Sequence, residues 1–264
     1  KIKNGASGLS LLKKVNIFDM YKIAKIIKDT VDISRLVDAL EKKSFKVRPR
    51  EQDRGSTDRI MKKFHDDVLK AKGTSEIKRL IKNTMDKLDA IKQKEGFTPL
   101  KIGIVGEIYT TIDSYTRFNI QERLGNMGVE VDRQVTISGW IINDMFKKAL
   151  HLPREGEDVR ESKAYLKSMV GGHAHHTIVN TVVHAKKGYD GVIHLYPLGC
   201  MPEIVSQAIL PAVEENHQIP VMTIIRDEMT GEAGFNTRVE AFVDLIRKRR
   251  EEHLNEQNKM LYGY

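Results

Sequence analysis

The feature that most constrains this chain is a change of texture at Gly96 and Pro99. Beyond it, four short β-rich runs at 101–105, 129–135, 191–195 and 221–225 are separated by stretches of helical length. Strands joined by connections that long lie parallel, with the helices as crossovers. Helical periodicity is expected over 115–126, 139–150, 161–169, 175–187, 202–216 and from 234 to about 258. Right-handed crossovers then favour the strand order second, first, third, fourth. The fold class is therefore α/β, a flavodoxin-like parallel sheet of about four strands flanked by helices. Its winding reverses between the first and third strands, and ligands of such sheets bind beyond the carboxyl ends at that reversal. Two turns belong there: Gly106-Glu107-Ile108-Tyr109 and Pro197-Leu198-Gly199-Cys200.

Ahead of that change, residues 17–94 read as three or four helices, with apolar residues three and four apart and no strand signal. Thr57 and Ser75 are the expected N-caps. The division is thus 1–97, an all-helical segment, and 98–264, the α/β domain with a long C-terminal helix. Charge follows the same division: of the formal +8, residues 1–97 carry a net +11 and the remainder −3. Lys and Arg in the front segment are interleaved with Asp and Glu, and aromatics are sparse, which argues against a nucleic-acid surface. No apolar run approaches the roughly 20 residues of a membrane span. The amino terminus has no signal-like segment, and one cysteine in 264 residues excludes an intrachain disulfide. A soluble, cytoplasmic protein is expected. Because the chain begins at Lys1 and runs at once through Asn4-Gly5-Ala6-Ser7-Gly8, it reads as the interior of a longer protein.

The lone cysteine, Cys200, directly precedes Met201-Pro202-Glu203, and proline suits a first helical turn. That puts the sulfur at a helix N-cap, where unpaired amides favour thiolate, the form that binds metal or attacks electrophiles. A small buried core cysteine is the alternative. After the fourth strand, Arg226-Asp227-Glu228-Met229-Thr230-Gly231-Glu232-Ala233-Gly234 gathers three carboxylates into a loop on the same rim. Thr230 can cap, and Gly231 and Gly234 permit tight or positive-φ geometry. Arg238, beside the apolar stripe of the last helix, needs a partner among Asp227, Glu228 and Glu240. The run Gly171-Gly172-His173-Ala174-His175-His176 is a weak zinc signal, because adjacent histidines point to different sides of a helix. There is no three-glycine dinucleotide fingerprint and no Gly-Lys-Ser/Thr phosphate loop, so ATP hydrolysis by this chain is not expected.

These segments also carry a resemblance. Ile104 to Tyr109, Gly171-Gly172-His173, Tyr189 to Ile193, Gly199 to Ile204, and Asp227 through Gly234 to Arg238 and Phe242, together with Arg48-Pro49 and Gly55 to Arg59, resemble the CoA-substrate-specific enzyme activase-related proteins. That group is similar to the cluster-bearing subunits of 2-hydroxyacyl-CoA dehydratases and to double-cubane cluster proteins. The resemblance implies an iron-sulfur cluster held by cysteine thiolates, an electron received from an ATP-dependent activase, a CoA-thioester substrate, anaerobic metabolism and an oligomer as one form the assembly could take. It makes Cys200 one metal ligand, with the other cysteines upstream of Lys1. It places Gly106, Gly199, Thr230 and Gly231 with Cys200 around the cofactor, and gives Glu107, Glu228 and Arg238 catalytic roles. The rival expectation is a non-redox module of the same fold that binds a CoA or nucleotide phosphate in the crevice.

Overall fold

Leu100–Gly106 (β1), Val129–Arg133 (β2), Gly191–Pro197 (β3) and Val221–Arg226 (β4) form one parallel sheet in the order β2-β1-β3-β4. Register is set by pairs such as Ile102 with Val131 and Gly191, and Val192 with Val221. This is the flavodoxin-like arrangement and the strand order expected from sequence. The computed structural model describes residues 17–113, 116, 118–142, 164–166 and 174–262. The helices are Ile17–Val47 (α1), Ser56–Val68 (α2), Thr74–Asp89 (α3), Ile108–Ile112 (α4), Ile120–Asn126 (α5), Ile137–Trp140 (α6), Ala174–Lys186 (α7), Met201–His217 (α8) and Glu232–Tyr262 (α9).

Strand alternation gives the sheet two unlike faces. One is dry: Ile102, Ile104, Val131, Ile193, Leu195 and Ile224 pack against Leu124 of α5 and against Phe235, Val239, Val243 and Ile246 of α9. Burying each such side chain contributes about 1.5–3 kcal/mol. On the other face Val105 and Val192 meet Ile219, and Ile178 and Val182 of α7 pack on Val213 of α8. This second face also carries charge. Asp132 of β2 faces His184 of α7, with Nε2 3.3 Å from Oδ2, and Lys42 of α1 lies 3.3 Å from Oδ1. The His184 ring fits because Gly103 of β1 has no side chain; a Cβ there would stand 2.5 Å from Nδ1. Burial works against the Asp132 carboxylate, but the His184 hydrogen bond and Lys42 outweigh it and hold its pKa well below the usual carboxylate range.

The front helices have a small core of their own around Leu40, Met61, Phe64, Ile81 and Leu88. They also reach the sheet: Phe45 joins the dry core, while Arg50 meets Glu130 at 2.5 Å and Glu41 meets Arg133 at 2.7 Å. The expected N-caps are corrected. Thr57 lies inside α2, whose N-cap is Gly55, because the Glu51 carboxylate accepts from the Gly55 and Thr57 amides. Ser75 lies inside α3, whose N-cap is Gly73.

Other boundaries shift for local reasons. A helix not expected from sequence, α4, follows β1 because the Glu107 side chain caps it. α5 begins at Ile120 rather than 115, after Phe118 and Asn119 in left-handed backbone. β2 ends at Arg133, two residues early, and Thr136 then caps α6 through the Gly139 amide. Residues 143–150 of the helix expected over 139–150, and 161–163 and 167–169 of that expected over 161–169, lie outside the described residues; residues 164 and 165 form a turn.

Two outcomes test these contacts. Unfolding free energy should fall as pH drops below about 4, the unfolded carboxylate value, because the depressed Asp132 pKa makes its stabilisation complete above that value and lost on the way down. Asp132→Asn should flatten this acid limb in urea titrations at stepped pH. Gly106→Ala should cost about 3 kcal/mol in the same assay, since its φ is +131° and a Cβ would sit 1.9 Å from the Leu195 carbonyl oxygen.

Candidate functional site

The rim at the winding reversal is built by backbone. Gly106 lets the end of β1 press against β3, and the next amide, of Glu107, donates to the Leu195 oxygen at 3.0 Å. The chain then turns into α4, where the Glu107 carboxylate accepts from the Tyr109 amide at 3.0 Å and from the Thr110 amide and hydroxyl at 2.9 Å. Across the gap β3 ends in Pro197-Leu198-Gly199-Cys200. The Leu198 amide donates to Arg226 O at 2.7 Å, which ties this turn to the end of β4. Gly199 takes φ +83°, a left-handed turn residue, and delivers Cys200 to the N-cap of α8.

Cys200 is a half-buried free thiol. The expectation that the helix end favours thiolate is corrected. Burial pushes the thiol pKa up, the Glu203 amide recovers some of this, and the Glu203 and Glu107 carboxylates raise it further. This environment favours the thiol over the thiolate, and the sulfur becomes a strong ligand when something cationic displaces its proton.

Directly beneath lies a network that sequence reasoning missed. Glu203, fully buried in the first turn of α8, accepts from the Thr177 hydroxyl at 2.9 and 3.2 Å and meets His194 Nε2 at 2.8 Å. His194 Nδ1 lies 3.4 Å from the Thr223 hydroxyl oxygen, and Tyr196 stacks on the ring with centroids 4.9 Å apart. The Tyr196 hydroxyl donates to Gln207, and burial, then Glu203 and Cys200, push its pKa up. A signal was present: strand Gly-Val-Ile-His-Leu-Tyr-Pro puts a histidine amid buried apolar residues, where it must find a partner. Removing one member of such a pair leaves the other buried without compensation, at a cost of about 3–5 kcal/mol.

The β4 loop closes on itself. Thr230 Oγ1 donates to Asp227 Oδ1 at 2.5 Å and accepts from the Asp227 amide at 3.0 Å, while Arg226 donates to Thr230 O at 3.3 Å. Thr230 therefore shapes the loop rather than capping α9, and neither Gly231 nor Gly234 is at positive φ. Arg226 lies over the Phe118 ring, 3.8 Å from its centroid. Glu228 is exposed. Arg238 finds its partner in a backbone carbonyl, Thr223 O at 2.8 Å, instead of Asp227, Glu228 or Glu240. The structure thus brings Gly106, Glu107, Gly199 and Cys200 to adjacent strand ends. Thr230 and Gly231 lie on the neighbouring loop, and Glu228 and Arg238 make no side-chain bond to Glu107 or Cys200 among the described residues.

Gly171-Gly172-His173 lies outside the described residues; His175 is half-buried and His176 exposed on α7. Among the described residues no group of three or more His, Cys, Asp and Glu is arranged to hold a metal ion. No described helix is long and apolar enough to cross a membrane. Comparison with protein families, curated proteins and solved structures returns no match.

Cys200 offers a direct readout of its carboxylate neighbours. Glu107→Gln removes one negative charge, lowers the thiol pKa and enlarges the thiolate fraction, so iodoacetamide alkylation at pH 7.5 should accelerate about twofold to fivefold. Followed by mass spectrometry across pH, the rate profile should move to lower pH in the variant.

Proposed function

We propose that this chain contributes Cys200 as one thiolate ligand of an iron-sulfur centre shared with cysteines outside the sequence, in an electron-transfer or dehydratase-related component. The observation that carries the reading is the position of its single thiol: half-exposed, on the N-cap of α8, at the reversal where β1 and β3 diverge. The donor set of this chain does not suffice for a cluster. Cluster coordination takes about four protein ligands, commonly cysteines, and the chain has one cysteine. Its role is to present a sulfur and to surround it. Glu107 and Glu203 raise the thiol pKa, and the same carboxylates oppose a phosphate in this crevice. They weigh against the reading as a CoA- or nucleotide-phosphate module centred here.

In this reading the partner is an ATP-dependent activase and the substrate class a CoA thioester, both taken from the sequence resemblance. A reducing, oxygen-poor cytoplasm suits both the free thiol and the cluster. The residues of this chain then have defined tasks. Gly106 and Gly199 shape the two lips, the Glu203 amide lies by the sulfur, and the His194–Glu203 pair fixes the first turn of α8 beneath it.

Anaerobic purification of the natural full-length protein, followed by iron and acid-labile sulfide analysis, tests this. Bound iron and sulfide that fall by at least half in Cys200→Ala are expected. A colourless, iron-free anaerobic preparation, or iron unchanged by the substitution, would sink the proposal.

A further inference from the structure

We propose that a notch between the front helices and the end of α5 is a phosphoryl-binding site, independent of the Cys200 crevice. Arg48, Glu51, Arg54, Lys94, Phe97 and Gly128 line a cleft of about 120 Å3, room for a tetrahedral oxyanion. Of the ten residues that line it, three are cationic and one is acidic; the rest include Pro49, Gly125, Asn126 and Met127.

The acidic one is already engaged. Both Glu51 oxygens face the N-terminus of α2, accepting from the Gly55 amide at 2.5 Å and the Thr57 amide at 2.8 Å. Of the three cations, Arg48 is ion-paired with Asp58, whereas Arg54 and Lys94 are not paired among the described residues. Arg48 is 3% exposed and held rigidly: its Nε donates to Asp58 at 2.7 Å, and its aliphatic stem fills the space left by Gly125, where a Cβ would stand 2.5 Å from Cδ. One of its terminal nitrogens, Nη1, is buried with no hydrogen-bond partner among the described residues. An unsatisfied buried guanidinium nitrogen is unusual enough to require a reason. Arg54 and Lys94 are exposed at the mouth and form no ion pair among the described residues. Lys94 Nζ lies 5.4 Å from the centroid of the Phe97 ring, so the ring holds the ammonium at the edge of the cleft.

A fixed, buried guanidinium behind two free cations matches a dianionic phosphoryl group better than a carboxylate, because its three terminal oxygens accept from several donors at once. The group could arrive as free phosphate or as the monoester of a larger molecule. Phe97, 39% exposed, offers an aromatic surface next to the cations for a carrier with a base.

The test is binding to the full chain by isothermal titration, with inorganic phosphate in one arm and adenosine 3′,5′-bisphosphate in the other, at fixed ionic strength. One saturable equivalent is expected in at least one arm, weakened tenfold or more in the double variant Arg54→Ala, Lys94→Ala. Both positions are exposed, so the variant should fold, and circular dichroism checks that it does. Equal affinity in the two arms assigns the site to a free phosphoryl group. Tighter binding of the bisphosphate that Phe97→Ala reduces assigns it to a nucleotide carrier. Absence of saturable binding in both arms, or binding that the double variant leaves intact, overturns the proposal. Neither result depends on whether iron is present at Cys200.

Discussion

The rim of this molecule depends on one close approach, that of Gly106 to the Leu195 carbonyl. A parallel sheet that reverses its winding sends the connections from neighbouring strand ends in opposite directions, and the gap between them is useful only if its walls are fixed. Here they are fixed by backbone contacts and by the Glu107 side-chain cap. With no Cβ at Gly106, the Glu107 amide reaches Leu195 O, α4 starts at once, and Glu107 turns back to cap it. The carboxylate so placed is one of the pair that raises the pKa of the Cys200 thiol. A side chain at residue 106 would displace the charge, the short helix and the environment of the sulfur together.

Beneath the rim the sheet divides its labour between faces. The face under α9 is apolar and supplies stability. The face under α7 and α8 carries both buried histidine–carboxylate pairs, His184 with Asp132 and His194 with Glu203. Buried charge adds little net stability compared with apolar packing of the same volume. What such pairs do provide is position, since each joins a strand to the helix above it. Glu203 is three residues from Cys200, so the pair that anchors α8 also sets where its N-cap stands.

Much of this was legible in the sequence, and the limits have physical causes. Alternation of β-rich runs with helical lengths gave the strand order, because crossover handedness leaves few options. Gly-Cys-Met-Pro-Glu placed the cysteine at a helix start. Its ionisation was not legible, since burial opposes thiolate first and one of the two carboxylates that add to it, Glu107, comes from a loop 93 residues earlier. Asp132 alternates with valines in Val-Glu-Val-Asp-Arg, yet its partner His184 lies on a distant helix. The β4 loop looked like a capped glycine turn, but Asp227 and Thr230 bond each other and leave Gly231 in ordinary backbone. Arg238 shows the same limit: sequence offers charged partners, whereas the fold presents a carbonyl.

The front helices meet β2 on both faces. Phe45 enters the dry core, and Lys42 and Arg50 reach Asp132 and Glu130 on the opposite side. β2 is an outer strand of the sheet, and an uncovered outer strand is a template for intermolecular pairing. The helical segment packs against this outer strand and supplies the partners on its two faces. Losing the segment would take Lys42 from Asp132 and Arg50 from Glu130 and leave the outer strand open to pairing between molecules.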